Sequence, residues 1–318
     1  MAAVDVGSNT IHLLVATLEP AGLTDRLHAV RMLNLGHAVA GQGQLGEVLV
    51  EMVTATVTEM LELARGDGAE AIGLVATEAI RNSPDADALV AAVLAATGQT
   101  LRVVTGEAEA RLSYLGATAF KVQAGEPATV ADVGGGSTEV IHGSGTRPQL
   151  GTSLRLGSDQ LLTLIGAADP PTRQQLAHAA ARVSMMLEGV PRGESAGMLL
   201  ATGGTASNVP VVLELRAATP EAADLSLQPE TGPAWMSLTR EQLNAALELT
   251  LSDSSGRLAG KTGLSRRRSR LMAGGLIILA GLLDRYQLPE ITVTERGLRD
   301  GVVLAVAASR SRRQGTAG

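Results

Sequence analysis

Two short glycine-containing segments hold most of the residues whose types and spacing could do chemistry. Asp5-Val6-Gly7-Ser8-Asn9-Thr10 recurs as Asp132-Val133-Gly134-Gly135-Gly136-Ser137-Thr138, with the two aspartates 132 − 5 = 127 residues apart. An aspartate at the end of a strand can hold a magnesium ion or a water molecule on it. The glycines that follow let backbone N–H groups approach an anion closely. Ser8, Asn9, Ser137 and Thr138 add polar side chains to the same loops. A third segment, Ala201-Thr202-Gly203-Gly204-Thr205-Ala206, reads as a strand ending in Gly-Gly-Thr and opening a helix. A helix start of that kind receives a phosphate on its free N–H groups. The common chemistry of all three segments is the holding of phosphate.

The elements around these loops alternate between strand and helix. Ala2 to Val6 and Ile11 to Leu18 are apolar runs that read as a hairpin across the first loop. Val50, Val53, Val57, Met60, Leu61 and Ala64 recur close to helical spacing, which predicts a helix from Glu47 to Leu63. Strands are expected at 71–76, 101–104, 129–133, 138–142, 198–201 and 291–293. Helices are expected at 85–96, 107–120, 171–187, 206–215, 239–251, 269–286 and 298–308. Ser83 is the expected cap of the helix at 85–96, with Pro84 at its first position. Thr239 and Gln242 have capping-box spacing. Alternation of this kind means an α/β fold with much parallel or mixed sheet. A duplicated strand–loop–strand implies a duplicated domain, and two copies facing each other would set two phosphate loops across one cleft.

Composition removes competing classes. The chain has 318 residues and no cysteine, which excludes a disulfide scaffold, a thiolate zinc site and a cysteine nucleophile. Tyr114, Phe120, Trp235 and Tyr286 are the whole aromatic set, too few for the stacking platforms that read single-stranded nucleic acid. A formal net charge of −6 also argues against a general nucleic-acid coat. The apolar run from Leu271 to Leu283 is 13 residues long and contains three glycines, so it reads as a buried helix and not a membrane span. The N-terminus shows no basic start followed by a long apolar core, so a cytoplasmic location without a signal peptide is expected. His12, His28, His37, His142 and His178 show no metal-ligand spacing, and His12 reads as a structural residue of an apolar strand.

The segment from Ala3 to Thr10 resembles the N-terminal signature of the exopolyphosphatase/guanosine pentaphosphate phosphohydrolase (Ppx/GppA) family, within the actin-like phosphotransferase superfamily. Six further segments agree in the family's order. Ala76 to Asn82 is similar to its T-x-A-x-R motif and Gly106 to Arg111 to its G-x-x-E-A motif. Asp132 to Glu139 is similar to its second phosphate loop, Ser153 to Gly157 to S-L-x-L-G, Ala201 to Ala206 to A-T-G-G-T, and Glu295 to Gly301 to G-L-R-x-G.

The resemblance implies two actin-like (ribonuclease H-like) domains with the active site in the cleft between them. The domains would be 1–122 with 302–318, which includes a returning C-terminal helix, and 123–301. It implies exopolyphosphatase activity, with magnesium or another divalent ion and a possible monovalent cation such as potassium. Glu109 would orient or deprotonate the attacking water, and Asp132 and Glu139 would hold the metal. Asp5, Gly7, Ser8, Asn9, Arg81, Gly134, Gly135, Gly136, Ser137, Gly203, Gly204 and Thr205 would bind phosphate. A homodimer is a family expectation, and neither nucleic acid nor membrane is an expected partner.

The other readings are hydrolysis of guanosine pentaphosphate on the same machinery, an ATP-dependent kinase of the same superfamily, and a non-catalytic regulator that binds alarmone or polyphosphate. The chain departs from the family at Arg268-Ser269-Arg270, where an arginine replaces an acid, and at Ala108. The four arginines between 266 and 270 read as a solvated helix start, the alternative being a path for a polyanion.

Overall fold

The computed structural model describes residues 1–33, 35–166, 168–193, 197–214 and 235–315. Among these, one compact unit holds Met1–Phe120 and the C-terminal helix from Leu298, and a second holds the residues from Lys121 to Gly297.

The first unit is built on a hairpin. Strand β1 (Ala2–Val6) pairs antiparallel with β2 (Thr10–Glu19), setting Asp5 opposite His12 and Val6 opposite Ile11. β3 (Gly22–Met32) extends the sheet on one side, and β4 (Ile72–Ala76) and β5 (Arg102–Val103) run parallel to β1 on the other. The strand order is β3-β2-β1-β4-β5. Alternation along the strands gives the sheet two apolar faces. Val4, Val6, Ile11 and Leu13 pack with Val53, Val57 and Met60 of helix α2 (Glu47–Gly66). They also meet Leu89 and Val93 of α4 (Ala86–Thr97). Helices α1 (Leu35–Gln42) and α3 (Glu78–Arg81) fill the connections. On the opposite face, Ala3, Leu14, Ala16 and Val75 meet Val302 and Val303 of the C-terminal helix α12 (Leu298–Gly315). This helix also packs against α5 (Gly106–Thr118).

The second unit repeats the plan. β6 (Pro127–Val133), β7 (Thr138–Ser144) and β8 (Arg147–Leu154) form an antiparallel meander, and β9 (Met198–Thr202) and β11 (Glu290–Thr294) continue parallel to β6. The order β10-β11-β9-β6-β7-β8 is that of the first sheet with one added edge strand, β10 (Trp235–Thr239). The architecture is therefore α/β, with two mixed sheets of actin-like, ribonuclease H-like order. Helices α6 (Ser158–Ile165), α7 (Arg173–Glu188), α8 (Gly204–Val212), α9 (Arg240–Ser252), α10 (Ser255–Thr262) and α11 (Arg266–Tyr286) complete the unit. The apolar run of α11 is buried, as its glycines suggest, and no helix among the described residues is long and apolar enough to cross a membrane.

The structure revises several local expectations. Ser83 does not cap α4. Asp85 holds the N-cap position, its carboxylate accepts the N–H groups of Leu45 (3.1 Å) and Gly46 (2.8 Å), and Ser83 donates its hydroxyl to the same carboxylate. Burial would raise the Asp85 pKa, but these hydrogen bonds outweigh it and hold the carboxyl below its ordinary value. The helix expected from Pro171 starts at Arg173, with Thr172 and Gln175 closing a capping box; the box at Thr239 and Gln242 forms as expected. The helix expected at 206–215 begins two residues earlier, at Gly204, and residue 215 lies outside the described residues.

Gly301 lets α12 touch α5. A Cβ there would lie 1.9 Å from the Leu112 carbonyl oxygen, which is backbone and cannot swing aside. Gly301→Ala should lower stability by about 1–3 kcal/mol, read as a fall in the thermal midpoint of the intact chain.

His142 on β7 is buried between Thr129 Oγ1 (2.9 Å from Nδ1) and the Pro191 carbonyl (2.8 Å from Nε2), with the Tyr286 ring edge-on at 5.5 Å. Burial pushes its pKa below the ordinary value, against the hydrogen bond to Pro191 and with the help of the Arg285 charge. The unfolded chain therefore takes up a proton at this position before the native one does. Stability should fall as pH drops from about 7 to 5, through the ordinary histidine range. Unfolding midpoints across that range should show the loss, and His142→Gln should flatten the slope.

Candidate active site

Each unit gathers its polar residues at the loop end of its central strands. In the first unit, the Gly7 N–H donates to the Thr10 carbonyl at 3.0 Å and closes the hairpin. A Cβ on Gly7 would come within 3.2 Å of that carbonyl, so a larger residue would push the carbonyl back by a few tenths of an ångström. In the second unit, the Gly134 N–H donates to the Ser137 carbonyl at 2.9 Å, and a Cβ on Gly134 would sit 3.1 Å from it. The two loops thus align residue for residue, at a constant 132 − 5 = 127 offset, with Thr10 matching Ser137 and His12 matching Glu139.

The first loop is pinned from behind. The Ser8 carbonyl accepts from Gly36 at 2.7 Å and the Asn9 carbonyl from Leu33 at 2.9 Å. The Ser8 hydroxyl donates to Glu78 Oε2 at 3.0 Å, so the side chain expected to bind phosphate already serves a carboxylate. Thr77, at the end of β4, ties to the same hairpin by donating its N–H to the Val6 carbonyl at 3.1 Å.

Glu107 and Glu109 separate clearly. Glu107 is exposed and pairs with Arg111 one turn on, at 2.9 Å. Glu109 is buried in the first turn of α5, and Arg81 Nη1 donates to its Oε2 at 2.8 Å. The same Nη1 reaches the Val104 carbonyl at 2.9 Å, which fixes the guanidinium between β5 and α5. Nε and Nη2 of Arg81 make no hydrogen bond among the described residues. That side-on edge is the geometry with which a guanidinium grips an anion through two parallel donors.

In the second unit, Asp132 and Glu139 are cross-strand partners and share one face of the sheet, opposite Ala131, Val133 and Val140. Glu139 is buried and accepts the Ser153 hydroxyl at 2.7 Å. Gly203, at φ +92°, presses on Asp132: a Cβ there would lie 2.9 Å from Oδ1 and 2.5 Å from the Val133 carbonyl. The Gly134–Gly136 loop is held by the start of α6. Ser158 N–H donates to the Gly134 carbonyl (3.0 Å) and Asp159 N–H to that of Gly135 (2.9 Å), while a Cβ on Gly157 would meet the Gly135 oxygen at 2.0 Å. With these two carbonyls engaged on α6, N–H groups are what the loop has left for an anion.

Other expectations shift. The Thr205 hydroxyl is fully buried and has no hydrogen-bond partner among the described residues; it faces Gly275 of α11, whose Cβ would fall 1.9 Å away. Its side chain packs against α11 beside the start of α8.

The arginine cluster opens α11 with Arg266 exposed, but its other members are partly buried. Arg267 pairs with Asp159 at 2.7 Å and Arg270 with Asp169 at 3.4 Å, and the Arg268 guanidinium lies against Gly204, where a Cβ would be 2.2 Å from Nη2. The spacing alone does not reveal Arg268, because its target lies 64 residues away in sequence. Arg299 was also missed as a site residue. Its Nη1 reaches His12 Nδ1 at 3.4 Å, on the Asp5 face of the first sheet. Among the described residues no histidine belongs to a metal-holding group; His28 pairs with Asp25, His178 is exposed, and the side chain of His37 lies outside the described residues.

No group of three or more acidic or histidine side chains among the described residues could enclose a metal ion. Asp132 and Glu139 do supply two hard oxygen donors on one face. That suits a magnesium ion that keeps waters and shares substrate oxygens, the usual way this ion binds phosphates.

Glycine-cradled loops at matched strand ends, a carboxylate held by an arginine and an acidic pair define a phosphate-handling α/β enzyme. A model of the Ppx/GppA phosphatase family matches residues 14–310, and the chain belongs to that family. It is a hydrolase. It is similar to exopolyphosphatase 2 of Mycobacterium tuberculosis, with 30% identity over 96% of this chain and 98% of the relative. It is also similar to exopolyphosphatase 1 of Mycobacterium leprae, with 26% identity over 96% of this chain and 88% of the relative. The crystal structure of the Ppx/GppA family member of Aquifex aeolicus resembles it with a TM-score of 0.82 at 25% identity, over 97% of each chain.

Breaking the buried pair isolates a carboxylate. Arg81→Leu should destabilise the fold by about 2–3 kcal/mol, since an unpaired buried charge costs more than the pair contributes. Chemical denaturation of the variant would measure it, and the double variant Arg81→Leu/Glu109→Leu should recover part of the loss.

Proposed function

We propose that this chain is an exopolyphosphatase, releasing orthophosphate from the end of inorganic polyphosphate. The observation that carries the reading is the buried Glu109 held by Arg81, with the side-on edge of that arginine left for an anion. A fixed carboxylate can align a water with the terminal phosphorus and accept its proton as the attack proceeds. Phosphoryl transfer gains most from such positioning and from charge stabilisation, so Glu109 needs no unusual pKa. The water oxygen forms a bond to the terminal phosphorus. The bond from that phosphorus to the bridging oxygen breaks, and the shortened chain leaves as an oxyanion.

Arg81 serves two purposes. Nη1 holds Glu109 in place, and Nε with Nη2 takes the non-bridging oxygens of the transferred group. The N–H groups of Gly7 and Gly134 close their loops, so in each unit the N–H groups that follow, of Ser8 and Asn9 or of Gly135 and Gly136, would hold phosphate. Asp132 and Glu139 would hold magnesium, which when bound neutralises charge on phosphate oxygens. The shortage of aromatic side chains favours polyphosphate over a guanine nucleotide, because a phosphate chain has no base to stack.

Phosphate release should be measured with magnesium on short polyphosphate, long polyphosphate and guanosine pentaphosphate. Polyphosphate should be cleaved, and Glu109→Gln should lose at least about 100-fold in kcat. Asp132→Asn should shift the magnesium requirement upwards. Full activity in Glu109→Gln would sink the mechanism. Faster cleavage of guanosine pentaphosphate would reassign the substrate, and binding without release from any substrate would mark a regulator.

A further inference from the structure

We propose that Glu78 is a specificity-determining carboxylate. Its uncompensated charge beside the first loop disfavours a bare polyanion and admits a phosphate chain that carries its own cations. This role rests on the reading of the first loop as a phosphate site. Glu78 opens α3, two residues beyond the end of β4. It stands one hydrogen bond from the loop: the Ser8 hydroxyl donates to its Oε2 at 3.0 Å. The Asn82 side-chain amide donates to its Oε1 at 2.8 Å.

Both donors are neutral. They hold the carboxylate in place without removing its charge. No arginine or lysine pairs with Glu78 among the described residues. Arg81, the cation nearest to it in sequence, is committed to Glu109 and to the Val104 carbonyl. Ser8 is anchored in turn. Its carbonyl accepts the Gly36 N–H at 2.7 Å, and a Cβ on Gly36 would lie 3.2 Å from its own Cβ. A negative charge is therefore fixed beside the N–H groups of Ser8 and Asn9.

Glu78 is partly buried, where charges act on one another more strongly than in bulk water. The Ser8 hydroxyl offers an incoming anion no relief, because its hydrogen faces Glu78. The repulsion grows with the charge that a bare chain brings in, and it falls when a bound cation neutralises that charge. Salt weakens it as well. Glu78 thus selects the form in which the chain is bound and keeps a small product anion from being held tightly. A carboxylate that served only to hold Ser8 would act in the opposite direction, since neutralising it would loosen the loop and weaken binding.

Titration calorimetry of inorganic tripolyphosphate into the intact chain reads the sign of the effect. It is run at low ionic strength, once free of divalent ions and once with magnesium-saturated tripolyphosphate. Glu78→Gln should tighten binding of the bare anion roughly three- to thirtyfold, the effect of removing one nearby like charge. Its gain with the magnesium-loaded form should stay under about twofold, and added salt should shrink the gain with the bare form. The gain should persist in a Ser8→Ala background, because the charge acts on the anion and not through the hydroxyl. Asn82→Lys, at an exposed position one turn on, places a cation beside Glu78 and should also tighten binding of the bare anion.

Unchanged or weaker binding in Glu78→Gln at an unchanged melting temperature would overturn the assignment. So would a gain that vanishes in Ser8→Ala, an equal gain with the magnesium-loaded form, or failure of both native and Glu78→Gln protein to bind either form. Should Glu78→Gln not fold, unchanged or weaker binding in Asn82→Lys would have the same force. Absence of phosphate release by a native enzyme whose binding series behaves as expected would instead remove the exopolyphosphatase reading and leave Glu78 its role.

Discussion

The hydrogen bond that closes each central hairpin, from a loop glycine to the carbonyl three residues on, sets the register on which the polar residues of its own unit depend. At 3.0 and 2.9 Å these closures leave the loops no slack, and a side chain at Gly7 or Gly134 would press on the accepting carbonyl. Asp5 is thereby fixed opposite His12, and Asp132 opposite Glu139. A slip of one residue in either hairpin would turn those side chains to the other face of the sheet and bring apolar neighbours out in their place. The remaining elements reinforce this register. Leu33 and Gly36 brace the first loop through its carbonyls, and Ser158 and Asp159 brace the second. Gly157, Gly203 and Gly301 permit the close approaches that bring α6, β9 and α12 against the parts they support.

What could be read from the sequence had local causes. The strands on either side of each loop are short apolar runs, and α2 and α11 carry their apolar positions at helical spacing. The acidic pair at Asp132 and Glu139 could be placed on one face because their positions flank a loop between paired strands. What could not be read depended on distant partners. β3 mixes Asp25, Arg26, His28 and Arg31 with its apolar residues, and β8 has no buried residue, so neither shows a clear period. Ser83 looks like a cap, but Asp85 is drawn to the backbone of Leu45 and Gly46 forty residues earlier. Thr205 looks like a phosphate ligand until Gly275 is seen to receive it. The cluster at 266–270 looks solvated until Asp159, Asp169 and Gly204 supply its neighbours.

Net charge gives little guidance to a site of this kind. The chain carries −6 overall, and several of its ion pairs lie at the surface: Arg111 with Glu107, Arg31 with Glu59, Arg240 with Asp284. Exposed pairs of this sort contribute little to stability and are screened by salt. Arg81 differs because its partner is buried, so the charge is confined and oriented. Attraction for a phosphate chain on this plan comes from a few fixed donors and not from a basic surface. A broad positive field would hold the product as firmly as the substrate, whereas donors fixed at one position favour the geometry of the transferred group.

The duplication also shows how one scaffold has been divided between two kinds of chemistry. The position after the loop and across from the aspartate holds His12 in one unit and Glu139 in the other. Each is committed to a hydroxyl: His12 to Thr10 at 2.7 Å, Glu139 to Ser153 at 2.7 Å. A carboxylate keeps negative charge beside Asp132, whereas the imidazole stands beside Asp5. Hairpins of the same register thus differ in chemistry at one position, so the asymmetry arises from the side chain two residues beyond the loop-closing Thr10 or Ser137 and not from the backbone.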